Sequence, residues 1–343
     1  METMKKILPG LGLCTAIAVV AHLGGQLLPV VGGPVFAILI GMLAARFFGQ
    51  RAILRPGITF ASKKVLQYAV ILLGFGLNMS VMLETGLQSL PIILSTITVS
   101  LVVAFALCKL LKIPTNTSIL VGVGSSICGG SAIAATAPVI EADDEDVARA
   151  ISVIFFFNVL AALLFPAFGA ALGFSTTSAE AFGIFAGTAI NDTSSVTAAA
   201  STWDTLYGLG SATLGKAVTV KLTRTLAIIP ITLALALHRT RKAGKTDVKI
   251  NLAKIFPFFI LWFVLASIIT TVATGIGLPA NFFVPFKSVS KFFIMVAMAA
   301  IGLNTDIVKL VKTGGKPLFM GFCCWAAITG ISLLALRLMG VWV

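Results

Sequence analysis

The chain has 343 residues, 58% of them hydrophobic and only 11% charged, with a mean hydropathy of +1.06. That is too little charge to clothe a soluble domain of this length, so the composition excludes one and describes a polytopic membrane protein. The net charge of +13 does not imply nucleic acid, because the cations fall in short stretches between apolar segments, as cytoplasmic loops require.

In chain order, METMKK and the apolar run behind it imitate a signal peptide, but no small-residue cleavage site follows, and the stretch predicts a first, uncleaved helix. Apolar segments are expected near 7–28, 31–48, 64–83, 89–111, 117–139, 147–172, 179–200, 211–237, 252–274, 288–310 and 317–340. The fold class is therefore all-α, with about 10–11 transmembrane segments in one integral-membrane domain. The cations Arg46, Arg51, Arg55, Lys63, Lys64, Lys109, Lys112, Arg239, Arg241, Lys242, Lys245, Lys249, Lys254, Lys309, Lys312 and Lys316 all fall in even-numbered loops. The odd loops hold chiefly Arg149, Lys287 and Lys291. This predicts a cytoplasmic N-terminus and an outer C-terminus. The parity survives if segments five and seven both re-enter without crossing. The acidic run Glu141–Asp146 precedes segment six and suits a helix N-terminus; it lacks the glycine-bearing ligand loop of a calcium site.

Two internal similarities stand out. Gly76-Leu-Asn78 recurs as Gly302-Leu-Asn304, seven segments later and thus in the opposite direction, as in the inverted repeats of secondary transporters. Repeat halves of about 1–140 and 147–343 are expected. Gly124-Ser-Ser-Ile127-Cys-Gly-Gly-Ser131 matches Gly187-Thr-Ala-Ile190-Asn-Asp-Thr-Ser194; these two stretches are parallel if both segments span, and can be antiparallel if both are hairpins or broken helices.

The polar groups are few. Lys221 and Arg224 lie mid-way along segment eight, three residues apart and so on one helix face, with Lys216 nearer its start. Cations at bilayer depth cost about 2.5–3.5 kcal/mol and usually face a cavity or a partner. Two together suggest an anion site. Gly122–Ser131 is too rich in glycine and serine for a continuous helix, and a break there offers N–H groups, with the hydroxyls of Ser125, Ser126 and Ser131, to an anion; close helix packing through small residues is the other reading. Asn191 and Asp192 form a second polar centre. Asp192 suits either a structural ion pair with Lys221 or Arg224 or a coupling site for a proton or sodium ion. Asn78 and Asn304 are further coupling candidates, or helix caps. Cys14, Cys108, Cys323 and Cys324 read as packing residues; Cys128 has polar neighbours. His22 and His238 show no partner. No nucleophile–base set, phosphate loop, cofactor motif or metal spacing is visible, so neither an enzyme nor a cofactor is expected.

Four stretches in this order, Gly124–Ala135, Glu141–Ala148, Gly187–Asp192 and Lys221-Leu-Thr-Arg224, resemble the bacterial YeiH-type inner-membrane proteins, a family that carries the label of sulfate exporters. The resemblance covers essentially the whole chain. It implies a multi-span bundle related to the bile-acid symporters and sodium/proton antiporters, and transport of sulfate or a related sulfur oxyanion. Carried onto this chain, it singles out Ser125, Ser126, Cys128, Gly129, Gly130 and Ser131, then Lys221 and Arg224. The family often has His-Glu where this chain has Asn191-Asp192, which leaves Asp192 to couple alone. The expected activity is secondary transport of a small anion against a proton or sodium gradient. Cation/proton antiport and an uncoupled anion channel are the alternatives. The partners are then the anion, the coupling ion and the bilayer; a homodimer fits such a chain, but no residue pattern establishes it.

Overall fold

The computed structural model describes residues 2–27, 33–48, 51–243, 258–305 and 315–342. Among them every regular element is helical. In order these are α1 (Glu2–Leu27), α2 (Gly33–Phe48), α3 (Arg55–Phe60), a π turn (Ala61–Val65), α4 (Leu66–Gly74), α5 (Met79–Leu111), α6 (Thr115–Ser126), α7 (Gly130–Thr136), α8 (Asp144–Ala171), α9 (Glu180–Ala189), α10 (Thr193–Tyr207), α11 (Ala212–Thr225), α12 (Ile228–Ala243), α13 (Phe259–Gly275), α14 (Val284–Asn304, after a 3-10 turn at Ala280–Phe283) and α15 (Gly315–Leu338). Among the described residues six stretches are long and apolar enough to cross a membrane: Lys6–Gln26, Met79–Leu111, Glu145–Ala171, Ala212–Leu235, Ala280–Asn304 and Gly315–Leu338. The shorter α2 and α13, and the composite helix from α3 through the π turn to α4, complete a multi-pass membrane protein.

All eleven expected segments contain helix, with shifted bounds. The third was expected at 64–83 and runs instead over α3–α4, so Lys63 and Lys64 lie on its exposed π turn rather than in a loop. It stops at Gly74–Phe75 because Asn78 restarts the chain: its backbone is extended, and its side chain accepts from Ser80 N at 2.8 Å as the N-cap of α5. The fourth therefore begins ten residues earlier than expected, at Met79, and carries Pro91 in its interior. Segment eight is interrupted at 226–227, between α11 and α12. The acidic run caps as expected: Asp143 accepts from Asp146 N at 2.7 Å to open α8.

Close packing relies on glycine at several crossings, two of which tie down the N-terminal helices. A Cβ on Gly41 would stand 2.5 Å from Ala299 O, which locks α2 to α14. A Cβ on Gly57 would stand 2.2 Å from Ile7 O, which brings the starts of α1 and α3 together. Small residues allow such approach where lipid offers no hydrophobic contrast. The ends of α2 and α5, and the starts of α3, α6, α8 and α15, lie at one end of the bundle, hereafter the basic end, where Arg46, Arg55, Lys109, Lys112 and Lys316 gather.

Candidate functional site

Segments five and seven both re-enter. In the first, the pairs Thr117–Asp146, Gly124–Ile154 and Gly129–Asn158 advance together, so α6 and α8 are parallel. The short α7 must then carry the chain back to the end where α6 began. In the second, Glu180 meets Lys216, Gly187 meets Val220, and Ile190 meets Lys221, so α9 and α11 are parallel and α10 returns. Phe182 near the root of α9 stacks on Trp203 near the end of α10, with centroids 4.0 Å apart. Helix α8 has 28 residues, about 42 Å of rise, and links the two roots: Asp146 sits at the root of the first hairpin, and Gly169 packs on Phe182 at the root of the second. The hairpins thus enter from opposite ends and meet at their tips, where a Cβ on Gly129 would stand 3.2 Å from Asp192 Cβ.

Each tip has a local cause. Helix α6 ends where Ile127 leaves helical geometry and Gly129 takes φ +69°, a left-handed conformation that favours glycine. Helix α9 ends where Ile190 becomes extended, and Asp192 caps α10 by accepting from Ser194 N at 3.0 Å and from its hydroxyl.

The two cations of α11 close both ends at once. Lys221 Nζ donates to Ile127 O at 2.7 Å and Ile190 O at 2.9 Å. Arg224 donates through Nε to Ser126 O at 2.7 Å, through one terminal nitrogen to Ser125 O at 2.7 Å, and through the other to Thr188 O. These are orphan carbonyls at the C-termini of α6 and α9. The matched sequence stretches align Ile127 with Ile190 and Ser125 with Thr188, so each cation bridges equivalent carbonyls of the two hairpins. Both side chains are fully buried. Helix C-termini carry about −0.5 charge each, so two of them offset roughly half of the +2. Among the described residues no carboxylate lies within ion-pair distance of either cation. The ion pair expected with Asp192 is therefore absent; that carboxylate is engaged at the α10 N-terminus instead.

Beside the tips lie two buried amides. Asn158 of α8 and Asn191 are 2% and 1% exposed, and among the described residues none of their four side-chain polar atoms has a hydrogen-bond partner. A Cβ on Gly129 would stand 3.3 Å from Asn158 Nδ2. Leaving such groups unsatisfied costs about 1–3 kcal/mol each.

Ser125, Ser126, Cys128, Gly129, Asn191, Asp192, Lys221 and Arg224 are thus brought together, most through backbone atoms rather than the hydroxyls expected of the serines. Ser126 Oγ bonds its own helix at Val123 O. Gly130 borders the cluster, and Ser131 is exposed on α7. Asn78 and Asn304 sit at opposite ends of the bundle, Asn78 as a cap and Asn304 as the exposed last residue of α14. Neither reaches Asp192 to share a coupling site. The reading of the sequence missed Asn158, although a lone amide inside Phe155-Phe-Phe-Asn-Val-Leu160 is a usable signal. It also missed Ser332 of α15, whose hydroxyl meets that of Thr188 at 2.5 Å. All five cysteines are free thiols; Cys128 lies at the tip, and Cys14 and Cys324 are buried elsewhere. His22 bonds Gln26, and the side chain of His238 lies outside the described residues.

Fold and site define a multi-pass α-helical membrane protein with two opposed re-entrant hairpins clamped by buried cations. The chain belongs to the family described as "Conserved hypothetical protein 698", which matches residues 9–321 and is the YeiH-type family. It is similar to a UPF0324 membrane protein of Streptococcus pyogenes serotype M18, 57% identical over 344 residues and 100% of each chain. A UPF0324 membrane protein of Fusobacterium nucleatum is 54% identical over 98% of this chain and 100% of its own. One of Streptococcus agalactiae serotype V is 52% identical over 98% and 99%.

Proposed function

We propose that this chain is a secondary transporter of a small oxyanion, with sulfate or a related sulfur oxyanion or sulfonate as cargo and a proton or sodium ion as the coupling partner. The observation that carries the reading is the site's charge balance: Lys221 and Arg224 are buried beside two amides that, among the described residues, have no partner, and no described carboxylate pairs with either cation. Lys221 uses two of its three donors on carbonyls and Arg224 three of its five. The remaining N–H groups, with the Asn158 and Asn191 amides, suit the oxygens of a tetrahedral anion. Asp192 stands next to that position and repels an anion. Protonation or a bound sodium ion removes the repulsion, which makes co-binding a coupling device. Alternating access follows if the hairpins, as inverted copies, open in turn toward the ends from which they enter.

The test is flux in proteoliposomes for sulfate, sulfite and taurine, with and without a pH or sodium gradient. Wild type should transport at least one, faster with a gradient. Asn158→Ala should fold normally yet lose affinity at least tenfold. Absence of flux for all three anions, alongside sodium/proton exchange, would replace this reading with cation antiport. Gradient-independent flux at channel rates would leave the anion site and remove the coupling.

A further inference from the structure

The Gly76-Leu77-Asn78 turn plays no part in the hairpin tips, yet it is elaborately seated. A Cβ on Gly76 would stand 2.0 Å from Lys287 Cε and 2.9 Å from its Cγ and Cδ, so the glycine lets the lysine stem lie flat across the turn. Leu77 fills the notch left by Gly215 of α11, where a Cβ would stand 2.6 Å from its Cδ2. Together these residues wall a cavity of about 560 Å³, within the range of small-molecule sites. It lies at the end opposite the basic loops, where the second hairpin is rooted, and its lining includes Asn78, Thr85, Lys216, Thr219 and Lys287. Thr219 is two residues from Lys221 on the same helix.

The cations around this cavity are not equivalent. Lys216 pairs with Glu180, and Lys291 donates to Gly210 O at 2.6 Å. Lys287 makes no ion pair among the described residues. Asp204, the nearby acid, is 2% exposed and accepts from Thr213 N and Leu214 N, so it faces α11.

We propose that this cavity is an anion-binding vestibule, with Lys287 as its free cation and Asn78, Thr85 and Thr219 as its polar wall. Its ligand is a small oxyanion or sulfonate. That this ligand is the transported one rests on the function proposed above; the vestibule itself does not.

The test needs no transport. Val81 lines the cavity and is 50% exposed, so Val81→Cys places a thiol in the vestibule of the full-length protein, with the parent protein as background for the five native thiols. Its modification rates by a sulfonate-bearing and a trimethylammonium-bearing methanethiosulfonate give a ratio that reads the local potential. The anionic reagent should be favoured. Adding Lys287→Gln should lower the ratio about tenfold, as expected for removing one charge within about 10 Å. Gly76→Ala, which keeps the charge but displaces the stem, should lower it in part. Sulfate should slow labelling in the Val81→Cys protein and not after Lys287→Gln. A ratio unchanged by Lys287→Gln overturns the vestibule even if anion flux is normal. A changed ratio with no anion flux keeps the vestibule and removes the transport reading.

Discussion

The two hairpins share a sequence pattern and a pair of cations, yet they are built differently. The returning limb of the second is α10, 15 residues long and largely buried, with Trp203 fully enclosed against Phe182. Its root is closed by Asp204, which caps α11 through Thr213 N and Leu214 N. The returning limb of the first is α7, seven residues long and exposed at Ser131 and Ala134, and its root is held by the hydrogen bond between Thr117 and Asp146. At the aligned cap position the second carries Asp192 and the first Gly129. The returning limb of the second is enclosed in the core, whereas that of the first is short and exposed along one face, although its entering limb α6 is buried. Opening of the first should therefore require less rearrangement of packed side chains.

The clamp common to both should show the largest effect. Arg224→Ala leaves three carbonyls of α6 and α9 without partners and should destabilise the protein by about 3–5 kcal/mol and abolish flux, read by thermal unfolding in detergent and by liposome assay. Arg224→Lys should recover part of the stability, since one ammonium cannot reach all three carbonyls. A clamp variant of normal stability would mean that the hairpins are held by other contacts. Trp203→Ala should cost about 3–5 kcal/mol through its cavity. Ala134→Gly on the exposed face of α7 should cost only about 1 kcal/mol. Equal losses would erase the contrast between the two returning limbs.

Gly129→Ala comes next. It demands φ near +69° from a side-chain-bearing residue and pushes on Asp192 and Asn158, at about 1–3 kcal/mol, with slower transport as the readout. Asp192→Asn should have the smallest effect on folding, because an asparagine also caps a helix well. Its consequence should be functional: flux that no longer responds to the gradient. Retained coupling in this variant would move the coupling site elsewhere.

Much of this was legible beforehand. Hydropathy placed helix in all eleven segments, although only six stretches among the described residues are long and apolar enough to cross a membrane. The positions of Gly124–Ser131 and Asn191–Ser195 marked both tips, because glycine, serine and asparagine at membrane depth need a special reason. The bounds of the third segment were missed because Lys63 and Lys64 look like loop residues, whereas their side chains project from an exposed π turn. The two internal similarities have offsets of 226 and 63 positions, from Gly76 to Gly302 and from Ile127 to Ile190, so one duplication cannot account for both.

The sequence by itself determined the solvent of this protein, its segment order and which residues are too polar to face lipid, because transfer free energies act residue by residue along the chain. Only the tertiary structure decided that segments five and seven turn back, and that Lys221 and Arg224 hold carbonyls of both tips at once while Asp192 holds a helix end. A local pattern cannot specify these pairings. They depend on α8 carrying the chain from one root to the other, and on α11 passing close enough to both tips for two side chains to reach them.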